Sequence, residues 1–191
     1  MTPLDLFTTW YSEELTKSAV KIPSACCLST IGTDGFPNAR FVSLKEIQNG
    51  CFIVTGTISS RKGMEIDRCD KVALTFWWTG THRQVRVQGI ATRINNSDAD
   101  RFFSERGRDS QVVSIVSRQS EETGNLKKLE NDYEDLVRTH NGGPLKRPEN
   151  FGGYAISPLK IELMEFKETR FHVRTLYELS NGIWQSKQLQ P

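Results

Sequence analysis

RQVRVQGIATRI, residues 83–94, alternates with the period of an extended strand. Gln84, Arg86 and Gln88 fall on one face and Val85, Val87 and Gly89 on the other, as in a strand with one face buried. Working outward, KVALTFWW (71–78) is another apolar run of strand length. Further upstream, ACCLSTIGTDGFPNARFVSLKEI (25–47) reads as strand, turn and strand, with GTDG as the hairpin signal. GCFIVTGT (50–57) is a further strand, and ISSRKGMEIDRCD (58–70) is a polar turn running into a short helix. Residues 4–19 carry a helical stripe of Leu4, Leu6, Phe7, Trp10, Tyr11 and Leu15.

Downstream, the spacing predicts helices over 97–107, beginning at Ser97 or Asp98, over 110–118 and over 121–138. NGGPLKRPENFGGY (141–154) reads as a loop. AISPLKIELMEF (155–166), RFHVRTLYEL (170–179) and GIWQSKQLQP (182–191) read as the last strands, with SNG (180–182) as a hairpin turn. About seven short, mostly sequential strands with helices beside them imply a mainly β chain with flanking helices, an antiparallel barrel. No repeat or linker divides residues 1–191, so one domain is expected.

Composition narrows the function. The net charge of +2 does not suggest a nucleic-acid partner, and no apolar run approaches a membrane span. The N-terminus lacks the basic-then-apolar order of a signal peptide, so a cytoplasmic location is expected. Cys26, Cys27, Cys51 and Cys69 form no C-x-x-C pair, and His82, His140 and His172 are scattered, so no metal site is expected. H-E-x-x-H, G-x-S-x-G, P-loop and G-x-G-x-x-G motifs are all missing.

What the chain does contain is cations at turns and strand ends. Arg40 and Lys45 bracket RFVSLK, Arg61 and Lys62 lie in SSRK, and Arg170 and Arg174 bracket His172 in RFHVR. RFFSERGRDSQVVSIVSRQS (101–120) holds four arginines and five serines beside Val112, Val113, Ile115 and Val116. Any one cluster suits a solvated surface. Together they suggest phosphate-bearing small molecules, because guanidinium forks and hydroxyls match phosphate oxygens. With no nucleophile–base pair in view, a cofactor would carry the difficult chemistry. The amides of Gln84 and Gln119 can donate and accept, which suits the polar edge of a heteroaromatic ring as well as an exposed strand edge.

RFVSLK, SSRKGMEI, RQVRVQG, FFSERGRDSQ, SRQSE, FGGY and RFHVR, in this order, resemble the pyridoxine/pyridoxamine 5′-phosphate oxidase family, over residues 3–191. The resemblance implies a split β-barrel and a homodimer with FMN at the subunit interface, the strands of about 151–191 serving dimerisation. It implies oxidation of a phosphorylated pyridine substrate at its 4′ amine or alcohol, with oxygen as acceptor and hydrogen peroxide as product. By the same resemblance Arg40, Val42, Ser43, Leu44 and Lys45 line the FMN site, and Arg61 and Lys62 hold its phosphate. Gln84 meets the flavin, Gln119 and Ser120 complete its site, and Arg174 contacts it. Lys45, Arg106 and Ser110 bind the substrate phosphate, and Arg170 and His172 flank the substrate as the catalytic pair, His172 chiefly orienting it. The valines of 112–116 anchor the stretch between the two anion sites.

The chain departs from the family pattern at several of these places. Phe102 stands where a tyrosine usually reaches the substrate phosphate, and Met164 where a tryptophan usually lies near the flavin. FGGY replaces W-G-G, Val173 replaces an aspartate, and TGT, with Thr55 and Gly56, replaces Y-T-N at the flavin. The basic, tyrosine-containing segment that precedes the first helix in the family is not in this sequence. Two other readings fit these departures: a flavin oxidase acting on a phenazine precursor, and a flavin or pyridoxal-phosphate binder without turnover.

Overall fold

The computed structural model describes residues 1–140 and 142–191. Its first element, α1 (Pro3–Lys17), starts where Thr2 and Asp5 cap each other. The Asp5 amide donates to Thr2 Oγ1 at 3.2 Å and the Thr2 amide to Asp5 Oδ2 at 2.7 Å, with Pro3 in the first turn. Phe7 and Trp10 are buried as expected, but Leu15 is 45% exposed. The buried place near that end belongs to Glu14, which accepts from the Gly80 amide at 3.2 Å and the Thr81 hydroxyl at 2.9 Å. Those two donors offset part of the cost of burying a carboxylate.

Eight strands follow, one at each stretch read as strand: β1 (Ala25–Ile31), β2 (Pro37–Gln48), β3 (Cys51–Thr57), β4 (Lys71–Trp78), β5 (Arg83–Arg93), β6 (Phe151–Glu165), β7 (Val173–Ser180) and β8 (Ile183–Leu189). The sheet order is β3-β2-β1-β4-β5-β6-β7-β8, every pair antiparallel. β3 also pairs with β6, Phe52 opposite Ile156 and Thr57 opposite Phe151. Six strands therefore close into a barrel, and β7 and β8 extend from β6 as a hairpin. Asn181 and Gly182 both take positive φ at its turn, 49° and 76°, the backbone that tight hairpins require.

β5 lies between β4 and β6 and buries one face, as its alternation requires. Val85 and Val87 are fully buried with Leu74, Phe76 and Ile161, while Arg86 and Gln88 face outward. Each such apolar side chain contributes roughly 1.5–3 kcal/mol on burial. The register between β5 and β6 shifts at Gln88/Gly89, where Pro158 lies opposite Gly89. A bulge there accommodates a residue with no amide to donate.

The remaining elements are α2 (Arg61–Arg68), α3 (Asn96–Ser104), α4 (Arg108–Val116) and α5 (Leu126–His140). Side-chain caps move two helix starts from the expected positions. Asn95 Oδ1 accepts from the Asp98 amide at 2.8 Å, and Asn125 Oδ1 accepts from the Lys128 amide at 3.0 Å. The loop expected over 141–154 ends at Pro148–Asn150, because the ladder to β3 draws Phe151–Tyr154 into β6; Asn141 lies outside the described residues. Residues 170–172, expected as strand, precede β7 in a turn. Among the described residues no helix is long and apolar enough to cross a membrane.

Candidate active site

A cleft of about 460 Å³ opens beside β2, β3, the start of α2 and helix α4. Arg40, Val42, Ser43, Lys45, Thr55, Gly56, Lys62, Arg106 and Gln119 line it. A smaller cavity of about 290 Å³ shares Arg40, Lys62 and Gln119 and adds Arg61 and Ser120. Residues from five separate stretches of the chain thus meet at one place.

Local structure sets each of them. β2 alternates, so Leu44 packs in the core and can offer the cleft only its backbone. The register with β3 shifts between Leu44 and Glu46, and Lys45 lies in that irregularity. At the start of α2, Ser60 makes no side-chain cap. Its hydroxyl instead donates to the Thr57 carbonyl at 2.6 Å and accepts from Lys62 Nζ at 2.9 Å. The Arg61 amide donates to Ser120 Oγ at 3.2 Å. Two glycines make the fit possible. A Cβ on Gly63 would lie 1.8 Å from the Ile58 carbonyl oxygen, and one on Gly56 would lie 3.2 Å from Lys62 Cε.

The electrostatics call for an anion. Burial, with the charge of Arg40 added, pushes Lys62 down to about 8. Its ammonium also donates to Gln119 Oε1 at 2.9 Å. Burial lowers Lys45, and the charge of Arg106 lowers it further against a partial offset from Glu105. Burial lowers Arg106 too. The Arg106 guanidinium lies 5.0 Å over the Phe151 ring, and its Nη2 donates to the Ser110 carbonyl at 3.4 Å. Arg106 Nε and Thr55 Oγ1 are buried with no partner among the described residues. The buried Lys62, three further cations and two orphaned polar atoms around one cleft fit a phosphate-bearing ligand, whose oxygens would satisfy both charge and hydrogen bonding. FMN meets that description.

Sequence reasoning missed Glu65, which organises this corner. The carboxylate is fully buried. Oε2 accepts from Thr30 Oγ1 at 2.5 Å and Arg40 Nη2 at 2.9 Å; Oε1 accepts from Asn38 Nδ2 at 2.6 Å and Arg61 Nε at 3.0 Å. Burial pushes its pKa up, but the hydrogen bonds from Thr30, Arg61 and Arg40 and the charge of Arg40 outweigh that and hold it below its ordinary value. The one signal in the sequence was the i,i+4 spacing of Arg61 and Glu65, which by itself describes any exposed helix face.

Other expected residues stand apart. Gln84, Met164 and Arg174 form a row across β5, β6 and β7, and Gln84 Nε2 points at Met164 Sδ at 3.8 Å. Arg174 is paired with Glu162 at 2.8 Å. Arg170, at φ 68°, and His172 lie in the turn before β7. His172 Nδ1 accepts from the Lys167 amide at 3.1 Å, which leaves Nε2 to carry the proton of the neutral ring. None of these five lines the cleft within one chain. Phe102 is buried and Ser110 is exposed, and neither lines it. Of the valine cluster only Val112 is fully buried; Val113 is 48% exposed and sits on the cleft wall.

A closed six-stranded antiparallel barrel with a cleft lined by Arg40, Lys45, Lys62 and Arg106 defines a split-barrel protein with a cationic candidate site. Residues 12–136 match the family model described as pyridoxamine 5′-phosphate oxidase, and residues 151–191 match that of the pyridoxine 5′-phosphate oxidase C-terminal dimerisation region. The chain is 36% identical to the pyridoxine/pyridoxamine 5′-phosphate oxidase of Leptospira biflexa over 99% of its own length and 89% of the relative's. It is 37% identical to that of Rubrobacter xylanophilus, over 99% and 87%. Among solved structures, PhzG from Burkholderia lata in complex with tetrahydrophenazine-1-carboxylic acid superposes with a TM-score of 0.93 at 28% identity, covering 99% of this chain and 92% of that one. The chain belongs to the pyridoxamine 5′-phosphate oxidase family and is an oxidoreductase. The match to the dimerisation region supports a homodimer.

Proposed function

We propose that the protein oxidises pyridoxamine or pyridoxine 5′-phosphate to pyridoxal 5′-phosphate, with FMN as cofactor and oxygen as acceptor. The observation that carries this reading is the convergence of four cations on one cleft, Arg40, Lys45, Arg106 and the buried Lys62, with Arg106 Nε left without a partner among the described residues. FMN, when bound, supplies hydride acceptance from C4′ and returns two electrons to oxygen as hydrogen peroxide. With the amine substrate, water completes the balance and ammonia leaves.

The chain's own residues bind and orient. Arg40, Arg61, Lys62, Gln119 and Ser120 would hold the FMN phosphate; Val42, Ser43, the Leu44 backbone, Thr55 and Gly56 would border the rest of the cofactor. Lys45 and Arg106 would take the substrate phosphate. Ser110 would assist from its exposed position, and Phe102 only by packing beneath them. Gln84, Met164 and Arg174 would approach the flavin from the partner subunit, and Arg170 and His172 would flank the substrate. Orientation is then the main contribution to rate, since hydride transfer needs no strong base. The four free cysteines suit a cytoplasmic location.

The test is anaerobic. The FMN-loaded protein is mixed with pyridoxamine 5′-phosphate and the flavin's visible absorption followed. Bleaching, reversed by air with pyridoxal 5′-phosphate formed, is expected. The structural likeness to PhzG favours one other substrate class, because Lys45 and Arg106 would also receive a carboxylate. Bleaching by a reduced phenazine carboxylic acid alone would select that reading, and flavin binding with no bleaching would select a non-catalytic binder.

A further inference from the structure

Glu65 lies under the anion site, not in it. Its four hydrogen bonds come from β1 (Thr30), β2 (Asn38 and Arg40) and α2 (Arg61). An ionised carboxylate offers about four acceptor sites, so none is left for a ligand or a transferred proton. We infer that Glu65 is the positioning residue of the cofactor-phosphate pocket, fixing the guanidiniums of Arg40 and Arg61 from behind so that the phosphate meets donors already in place. This deepens the flavin reading above and rests on it.

A carboxylate beside an anion site looks adverse. Coulomb's law alone says that neutralising it should tighten anion binding. The geometry opposes that outcome. The Arg61 side chain is 56% exposed, and the buried end that holds it is Glu65 at 3.0 Å, with Asp34 more distant at 3.6 Å. Without the carboxylate, a long flexible side chain would have to be ordered by the ligand itself. Arg40 would also lose its counter-charge next to Lys62, whose protonation it already opposes. Preorganised donors are lost and the remaining cation is weakened.

The experiment compares FMN with riboflavin, which carries the same ring without the phosphate. Dissociation constants of both are measured by flavin fluorescence on the full chain, wild type and Glu65→Gln. FMN affinity is expected to fall about ten- to a hundredfold, the range seen when a supporting partner behind a binding group is removed. Riboflavin affinity is expected to stay level, so the preference for FMN collapses. Equal weakening of both ligands would mean a purely structural role and overturn the inference. An unchanged or stronger FMN preference would overturn it in favour of simple charge repulsion. If Glu65→Gln does not fold, Glu65→Asp keeps the charge and shortens the reach by one methylene; a loss of FMN preference there supports the inference and an unchanged preference overturns it. A wild type with no preference for FMN would remove the flavin-phosphate reading and this inference with it, a result distinct from a preference that the variants retain.

Discussion

Lys62 is a lysine made sensitive to pH near neutrality. Burial and Arg40 push it down to about 8, so in the unliganded pocket Lys62 is protonated below that pH and neutral above it, while Arg40 and Arg61 keep their charge. A phosphate dianion favours the ammonium. FMN affinity should therefore be level between about pH 7, where the phosphate is already a dianion, and pH 8, and fall as pH rises further, approaching one log unit per pH unit, with proton uptake on binding. Titration calorimetry in buffers of different ionisation enthalpy measures that uptake; none at pH 8.5 would place the phosphate elsewhere. In the unliganded fold the sign for stability is opposite. The burial cost of the charged lysine is fully present below pH 8 and is relieved as pH rises from about 8 toward its ordinary value. Under the proposed function Arg106 would take the substrate phosphate. Hydrogen bonds to charged groups contribute about 1.5–3 kcal/mol, so Arg106→Ala should raise KM for pyridoxamine 5′-phosphate roughly ten- to a hundredfold and leave FMN affinity unchanged. Steady-state kinetics with a parallel fluorescence titration checks this; an equal loss of FMN binding would put Arg106 in the cofactor pocket.

Among the elements, α2 is eight residues long and brings Arg61 and Lys62 to the two cavities. It docks so closely that a Cβ on Gly63 would meet the Ile58 carbonyl at 1.8 Å. Gly63→Ala must push the helix off the β3–α2 turn. A destabilisation of about 1–3 kcal/mol or more is expected in urea unfolding. FMN affinity should fall with it, because Arg61 and Lys62 ride on the same turn. Retained FMN affinity in a destabilised variant would show that the pocket tolerates a shift of α2. The strand alternation of β5, the hairpin glycines and the apolar stripe of α1 were readable because each is a local period. The starts of α3 and α5 were misjudged because Asn95 and Asn125 cap them from just outside the apolar pattern. β6 began earlier than expected because pairing with β3 overrides two consecutive glycines.

At the scale of the whole molecule, the expected site residues divide into two groups. One lines the cleft, and the other runs across β5, β6 and β7 and into the turn before β7. In a homodimer the second group of one subunit would complete the first group of its partner. Two inactive variants, Lys62→Ala and Arg174→Ala, should then complement on co-refolding. Random pairing makes half the dimers mixed, each with one intact site, so about a quarter of wild-type activity should return. No recovery in mixtures whose mixed dimers are confirmed by native mass spectrometry would place both residues at one subunit's site.

By itself the sequence determined the antiparallel barrel class, the succession of strands along the chain and the positions of its cations, because periodicity, turn chemistry and charge are local properties of a chain. Its motifs also carried the family. Tertiary structure alone decided which of those cations share a cleft. It also decided that Leu44 and Phe102 turn away from that cleft and that Glu65 is buried beneath it. Thr30 and Asn38 lie 35 and 27 residues from Glu65, and only the pairing of β1 with β2 and the packing of α2 against them brings them within hydrogen-bonding distance. A carboxylate's partners are set by where the backbone returns in space, and no spacing along the chain records that.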